Sequence, residues 1–270
     1  MRQVNSESLA SAARSSAVQM VHAGKASHIG SSLSQMDILA VLYAGAASVT
    51  PERVKDPERD VIIVSKGHAS AGTYAVMAHA GFFPLAWLDE FCANGGVLSG
   101  HVTAGVIPGV ELSTGSLGHG LAFGCGIALA AKLSGSTRRV FVLLSDGECD
   151  EGSVWEAGMF AAHHGLSNLT AIIDRNGLQS FGSTELTLAL EPLGAKWEAF
   201  GWAVSRIDGH DHESLKAAFA ADHSRPAMLI ADTTKGRGVS YMENEVAWHY
   251  KTPDDEQLAQ ALTELASEDA

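Results

Sequence analysis

Val140-Phe-Val-Leu-Leu-Ser-Asp146-Gly147-Glu-Cys-Asp-Glu151-Gly152, then Ser153-Val-Trp-Glu-Ala-Gly-Met-Phe-Ala-Ala-His-His164, then Leu169-Thr-Ala-Ile-Ile-Asp-Arg-Asn176-Gly-Leu178, is the stretch on which the fold turns. An apolar, β-branched run stops at an Asp-Gly pair, an apolar helical segment follows, and a second run ends at an asparagine. That is the pattern of a β–α–β unit, whose two strands are parallel. Asp146 and Asn176 are therefore expected side by side at the carboxyl edge of a sheet, where open α/β sheets bind ligands. A carboxylate, an amide oxygen and a nearby main-chain carbonyl make a cup of hard oxygen ligands, suited to Mg²⁺ that keeps positions for phosphate oxygens and water. Gly147 lets a backbone N–H approach a phosphate closely. Asp-Gly alone is usually a tight turn; the strand, helix, second strand and terminal Asn in register point instead to a metal–diphosphate site.

The rest of the chain is organised around that unit. Leu9, Ala13, Ala17, Met20 and Val21 recur at helical spacing up to Gly24, and Met36 to Ala44 is a second helical stretch. Val61-Ile-Ile-Val64 is expected as a buried strand, followed by Ser65-Lys-Gly67-His68 and a small-residue helix from Ala71 to Ala80. Gly95 to Gly115 is a long glycine-rich loop whose apolar content suggests function. Gly120 to Leu133 is a helix whose Gly124 and Gly126 suggest close packing of another backbone, such as one across a subunit interface. Lys196–Phe200 and Leu215–Ala220 are helical, while Trp202–Ile207 and Pro226–Ala231 are strands. The expected fold class is α/β: one doubly wound domain over residues 1–270, with a mostly parallel sheet and helices on both faces. An acidic helical tail begins near residue 253, and its Leu258, Leu262 and Leu265 stripe is expected to dock on the body of the domain.

Composition bounds the partners. A net charge of −13 argues against nucleic acid and anionic membrane, which need a basic face. Any anion site must then be built locally. Cys92, Cys125 and Cys149 lack metal-ligand spacing, and their odd number fits a reducing cytoplasm. No apolar run approaches the length of a membrane span, and no signal-peptide core is seen.

The spacing of Asp146-Gly147 and Asn176 resembles the thiamine-diphosphate motif, and the surrounding residues resemble transketolase in particular, from about residue 15 to 260. The resemblance implies a thiamine-diphosphate-binding fold and assigns roles residue by residue. Asp146, Asn176 and the Leu178 carbonyl match the metal ligands of the family, with Mg²⁺ expected and Ca²⁺ or Mn²⁺ as substitutes. Gly147 matches a diphosphate contact, and Gly67-His68 matches the Gly-His pair that reaches the diphosphate. Gly115, Ser116 and Leu117 match the loop on the aminopyrimidine side. His28 and His101 match sugar-contacting histidines, and His249 matches a histidine that bridges diphosphate and substrate. Glu151 matches an acidic residue at the dimer interface. Lys235, in the basic Lys235-Gly-Arg237-Gly238 loop, is a further candidate for the diphosphate, as is Arg237.

Whole transketolases are more than twice as long, and this chain is similar to their first domain. The resemblance therefore implies the N-terminal subunit of a split transketolase. A C-terminal subunit is expected to supply the pyrimidine-binding half and an activating glutamate, in an α₂β₂ assembly acting on sugar phosphates. The chain departs from the family at four positions: Ser145 replaces the usual glycine, Ile29 a proline, and His119 a glutamine. Tyr250, after His249, replaces a small residue and bears on the sugar site. A 2-oxo acid-decarboxylating or deoxyxylulose-phosphate synthase-like subunit, and a non-catalytic thiamine-fold subunit, stay open as alternatives. A dinucleotide site at Gly118-His-Gly120 is disfavoured, since that segment follows a loop.

Overall fold

The computed structural model describes residues 5–267, so the outermost residues of the expected domain lie outside it. The first three helices are α1 (Ser6–Ala23), α2 (Ile29–Ser34) and α3 (Met36–Val41). Strand β1 (Val61–Val64) leads to α4 (Ser70–His79), and α5 (Gly120–Ser134) leads into β2 (Val140–Ser145). Next come α6 (Gly152–His163), β3 (Leu169–Arg175), α7 (Thr184–Thr187), α8 (Leu193–Ala199) and β4 (Ala203–Asp208). The chain closes with α9 (His212–Ala220), β5 (Ala227–Asp232) and α10 (Asp255–Ser267).

The five strands form one sheet in the order β1-β2-β3-β5-β4, every pair parallel. Side chains alternate across a strand, so each strand feeds two cores. Ile62, Val64, Phe141, Leu143, Ile172 and Leu229 point toward α1, α4, α9 and α10. Val61, Ile63, Val142, Leu144, Ile173 and Ile230 point toward α5, α6 and α8. With both faces covered, the central strands are continuous apolar runs, as parallel sheets require. The edge strand β4 is half exposed.

This layering positions the site. The segments leaving β2 and β3 turn onto the α6 and α8 face, whereas those leaving β1 and β5 turn onto the other. The chain therefore parts at two places along the carboxyl edge, between β1 and β2 and between β3 and β5. Such divergences leave a crevice for ligand.

Several expectations shift in detail. The second helical stretch is broken: α3 stops at Val41 and a wide turn follows, with Gly45 at φ 128°. Strands β4 and β5 each start one residue later than the sequence suggested, and α8 starts earlier, at Leu193. Of the two α5 glycines singled out in the sequence, Gly124 faces the chain's own sheet and Gly126 is exposed. A Cβ on Gly124 would lie 2.5 Å from Val142 Cγ2, whereas one on Gly126 would meet nothing within 4 Å. Helix α10 packs against α1, burying Ala261 and Leu265. No described helix is long and apolar enough to cross a membrane.

Candidate active site

Ser145 pairs with Asp174 in the parallel register, so Asp146 and Asn176 leave adjacent strands at the same edge. Asp146 is 1% exposed. Its Oδ1 accepts from the Gly147 N–H at 2.8 Å, and its Oδ2 accepts from the Gly177 N–H at 2.6 Å and Arg175 Nη1 at 3.2 Å. Burial, and then the nearby Asp174 carboxylate, push its pKa up. Asn176 Oδ1 accepts from the Leu178 N–H at 3.1 Å, and the Leu178 carbonyl accepts from Lys235 Nζ at 3.1 Å.

Four histidines face this edge from four different segments. His28, at the start of α2, has a left-handed backbone (φ 69°) and donates its N–H to the His249 carbonyl at 2.9 Å. A non-glycine residue held there is strained, a common mark of functional positions. The His28 ring lies 5.3 Å from that of His68, 5.9 Å from His101 and 4.9 Å from His249, centre to centre. His68 and His249 are 5.6 Å apart. Lys235 Nζ reaches His249 Nδ1 at 3.2 Å. The 95–115 loop is pinned by the Tyr74 hydroxyl, which donates to the His101 carbonyl at 2.9 Å. His101 packs on Gly115 so tightly that a Cβ there would lie 2.6 Å from its Cδ2.

Burial, reinforced by neighbouring basic groups, sets the charge state. Burial first, then His101 and Lys235, bring His28 down to about 4. Burial, then Lys235 and His28, bring His249 down to about 3. His68 is lowered well below its usual value, chiefly by burial and then by Lys66. Lys235 is lowered to about 8, by burial and then by Lys66. These three imidazoles are thus neutral at pH 7, in a site whose electrostatics invite an anion.

The residues expected to hold metal, cofactor and sugar line one cavity of about 220 Å³, with Gly67, Ser116 and Arg237 as the exceptions. Ser116 is exposed beside it. Arg237 is not in the wall: its side chain is 41% exposed and its Nη1 lies 3.9 Å from Glu243 Oε1. Ser31, Gln179 and Ser180 join the wall although nothing in the sequence singled them out. A cavity that encloses a medium-sized ligand measures roughly 300–1,000 Å³, so this one is too small to enclose the whole of such a ligand. Tyr250 is 60% exposed at the rim, its ring 4.8 Å from His249 and 6.2 Å from His28. Glu151 is exposed at the start of α6.

Two buried groups behind the wall went unread in the sequence. Lys66 and Asp174, both 0% exposed, form an ion pair under the histidines, with Ser34 and Thr233 also donating to Asp174. Burial opposes the Asp174 charge, but Lys66 and these donors outweigh it and hold its pKa down. Glu148, also 0% exposed, accepts from the Ser65 hydroxyl and from the N–H groups of Gly118 (2.8 Å) and Ser145 (3.2 Å). It thereby ties the 115–118 loop to the ends of β1 and β2. A lysine breaking the apolar run after Val64 was the visible signal for the first pair; Glu148 had none beyond its place beside Gly147.

The donor set fits a hard cation. Among the described residues no cluster of three or more His, Cys, Asp or Glu could hold a metal. A metal here would be gripped by one carboxylate, one amide and one carbonyl, with the remaining positions left to ligand oxygens. The wider surface cleft of about 660 Å³ lined by Arg139 and Lys216 contains none of these groups. Its Arg139 is engaged by Asp60 and two backbone carbonyls.

Comparison with known proteins agrees in outline. The family described as transketolase, thiamine diphosphate binding domain, matches residues 5–269. The chain is 44% identical over 243 residues to one of the subunits of the apulose-4-phosphate transketolase of Actinobacillus succinogenes, covering 89% of this chain and 88% of that one. It is 37% identical to a 6-deoxy-6-sulfo-D-fructose transketolase subunit of a Clostridium species, covering 90% of each. Among solved structures, transketolase from Leishmania mexicana superposes with a TM-score of 0.90 at 29% identity, covering 98% of this chain. The chain spans only 42% of that longer protein.

Proposed function

The chain belongs to the transketolase thiamine-diphosphate-binding family, and from that premise we propose that it is the diphosphate-holding subunit of a two-component transketolase. Thiamine diphosphate, when bound, supplies the carbon that carries a two-carbon ketol unit from a ketose to an aldehyde. Asp146, Asn176 and the Leu178 carbonyl would hold a divalent ion, Mg²⁺ by the hardness of the set. His68, Lys235, His249 and the Gly147 backbone would hold the diphosphate, while Gly115, Ser116 and Leu117 would line the approach to the pyrimidine side. An anion among these basic groups raises their pKa values, so diphosphate binding is coupled to proton uptake.

His28, His101 and His249 line the cavity and are assigned to the sugar. As neutral imidazoles, His28 and His249 can each donate from one nitrogen and accept at the other. They can therefore orient sugar hydroxyls and take or return a proton at a carbonyl oxygen. The donor is assigned to the ketose phosphates or similarly anionic ketoses. The observation that carries the proposal is the convergence of four histidines, Lys235 and the three oxygen ligands on one cavity at the carboxyl edge.

That cavity is too small to enclose a whole cofactor, and a second chain is assigned the pyrimidine half and the activating glutamate, in an α₂β₂ complex. The test is co-purification with such a chain, followed by an assay on a panel of ketose donors and pyruvate. Ketose consumption that needs both chains and is abolished by Asp146→Ala is expected. Pyruvate consumption, or full activity of Asp146→Ala, would contradict the assignment.

A further inference from the structure

Outside the cavity, one buried carboxylate gathers more donors than a surface ion pair would need. Asp37 of α3 is 4% exposed. It pairs with Arg14 of α1, with His210 Nδ1 at 2.7 Å and with His212 Nε2 at 3.0 Å. His212 continues through Nδ1 to the Ser6 hydroxyl at 2.8 Å, which ends that branch at the start of α1. The His210 branch runs the other way. His210 Nε2 lies 2.9 Å from the backbone nitrogen of Thr234.

The backbone N–H can only donate, so His210 Nε2 must be the lone-pair nitrogen. The proton then sits on Nδ1 and donates to Asp37. Asp37 can only accept while ionised, and Arg14 and the two histidines hold its pKa down against the opposing effect of burial. Every polar atom along the line therefore has one assignment. The line ends on the residue directly before Lys235, whose ammonium enters the cavity. Lys235 itself is clasped from the other sides: the Gly236 N–H donates to the Gly30 carbonyl at 3.0 Å, and the Asn244 N–H to the Lys235 carbonyl at 2.8 Å. Its side-chain stem lies against Gly30, where a Cβ would come within 3.1 Å of Lys235 Cγ.

We infer that His210, oriented by Asp37, is a positioning residue: by accepting the Thr234 N–H it fixes the backbone from which Lys235 reaches the diphosphate. This rests on the role proposed for Lys235. The competing account is that His210 serves only the ion cluster on Asp37, tying α3 to the β4–α9 turn. Two substitutions separate them, because each keeps one half of the imidazole. His210→Asn keeps a donor near Nδ1 for Asp37 and loses the acceptor for Thr234. His210→Gln places an amide oxygen near Nε2 for the Thr234 N–H and loses the donor to Asp37.

The readout is the dissociation constant of magnesium pyrophosphate for the full chain, measured by calorimetry, with thermal midpoints alongside. Lys235→Met should weaken binding about tenfold or more, the worth of one charge-assisted hydrogen bond. His210→Asn is expected to weaken it comparably, and the double variant no further. His210→Gln is expected to bind within about threefold of wild type even where its midpoint falls, since the acceptor for Thr234 is kept. Equal binding by the Asn and Gln variants, or additive losses in the double variant, would overturn the inference. A silent Lys235→Met would instead remove the role of Lys235, and the inference with it.

Discussion

At the scale of single residues, the legible part of the site was the part that carries its chemistry in its own type and place. Asp146 and Asn176 each stand one residue beyond a strand, so the periodicity that reveals the strands also reveals them. His28, His68, His101 and His249 come from segments spread over more than 200 residues, and only the resemblance to a family could group them. Lys66, Glu148 and the Asp37 cluster stayed hidden because their partners are remote in sequence: Lys66 meets Asp174 and Asp37 meets His210. The histidines carry a prediction of their own. His28 and His249 titrate near 4 and 3 in the folded chain against about 6.5 when exposed. Between those limits the unfolded chain binds protons that the folded chain does not, so their contribution to stability is lost as pH falls from about 6.5 toward 4. The thermal midpoint of wild type should therefore drop more steeply between pH 7 and 5 than that of His249→Asn, as followed by circular dichroism at a scale of about one pKa-linked proton. Parallel curves would contradict the low value assigned to His249.

At the scale of elements, the strands were legible because a parallel sheet covered on both faces demands unbroken apolar runs. Boundaries moved by a residue where pairing, not composition, decides the end: β4 and β5 both run on to an aspartate. The break after α3 escaped notice because Leu42–Ala46 has helical composition, and only Gly45 marks the change of course. The two glycines of α5 looked alike in sequence and differ in the fold. Gly124→Ala should destabilise by about 1–3 kcal/mol, since the methyl would drive into Val142. Gly126→Ala, with open space at that position, should stabilise by about 0.5–1 kcal/mol through helix propensity. Denaturant midpoints read both. Shifts of the same sign would mean that α5 does not lie on β2 as described.

At the scale of the whole molecule, an acidic chain holds a local basic cavity, and that contrast is what makes an anion site recognisable. Neutral His28, His68 and His249 offer N–H donors and Lys235 a positive charge beside Asp146 around one small volume, although the chain carries −13 overall. His101, Gly115 and Leu117 line the cavity, and α5 and α6 expose apolar groups, Phe123, Met159 and Phe160. A cavity too small for a whole cofactor is consistent with the proposed division of labour between two chains. The chain alone should then bind the charged end of the cofactor without turning over a ketose.

The most direct measurement is a calorimetric titration of the purified chain with pyrophosphate, with Mg²⁺ and with chelator, for wild type and Asp146→Asn. Binding that needs Mg²⁺ in wild type and is lost in the variant is predicted, because the carboxylate and the asparagine amide at neighbouring strand ends jointly hold the ion. Equal binding in chelator, or undiminished magnesium-dependent binding by Asp146→Asn, would contradict the account.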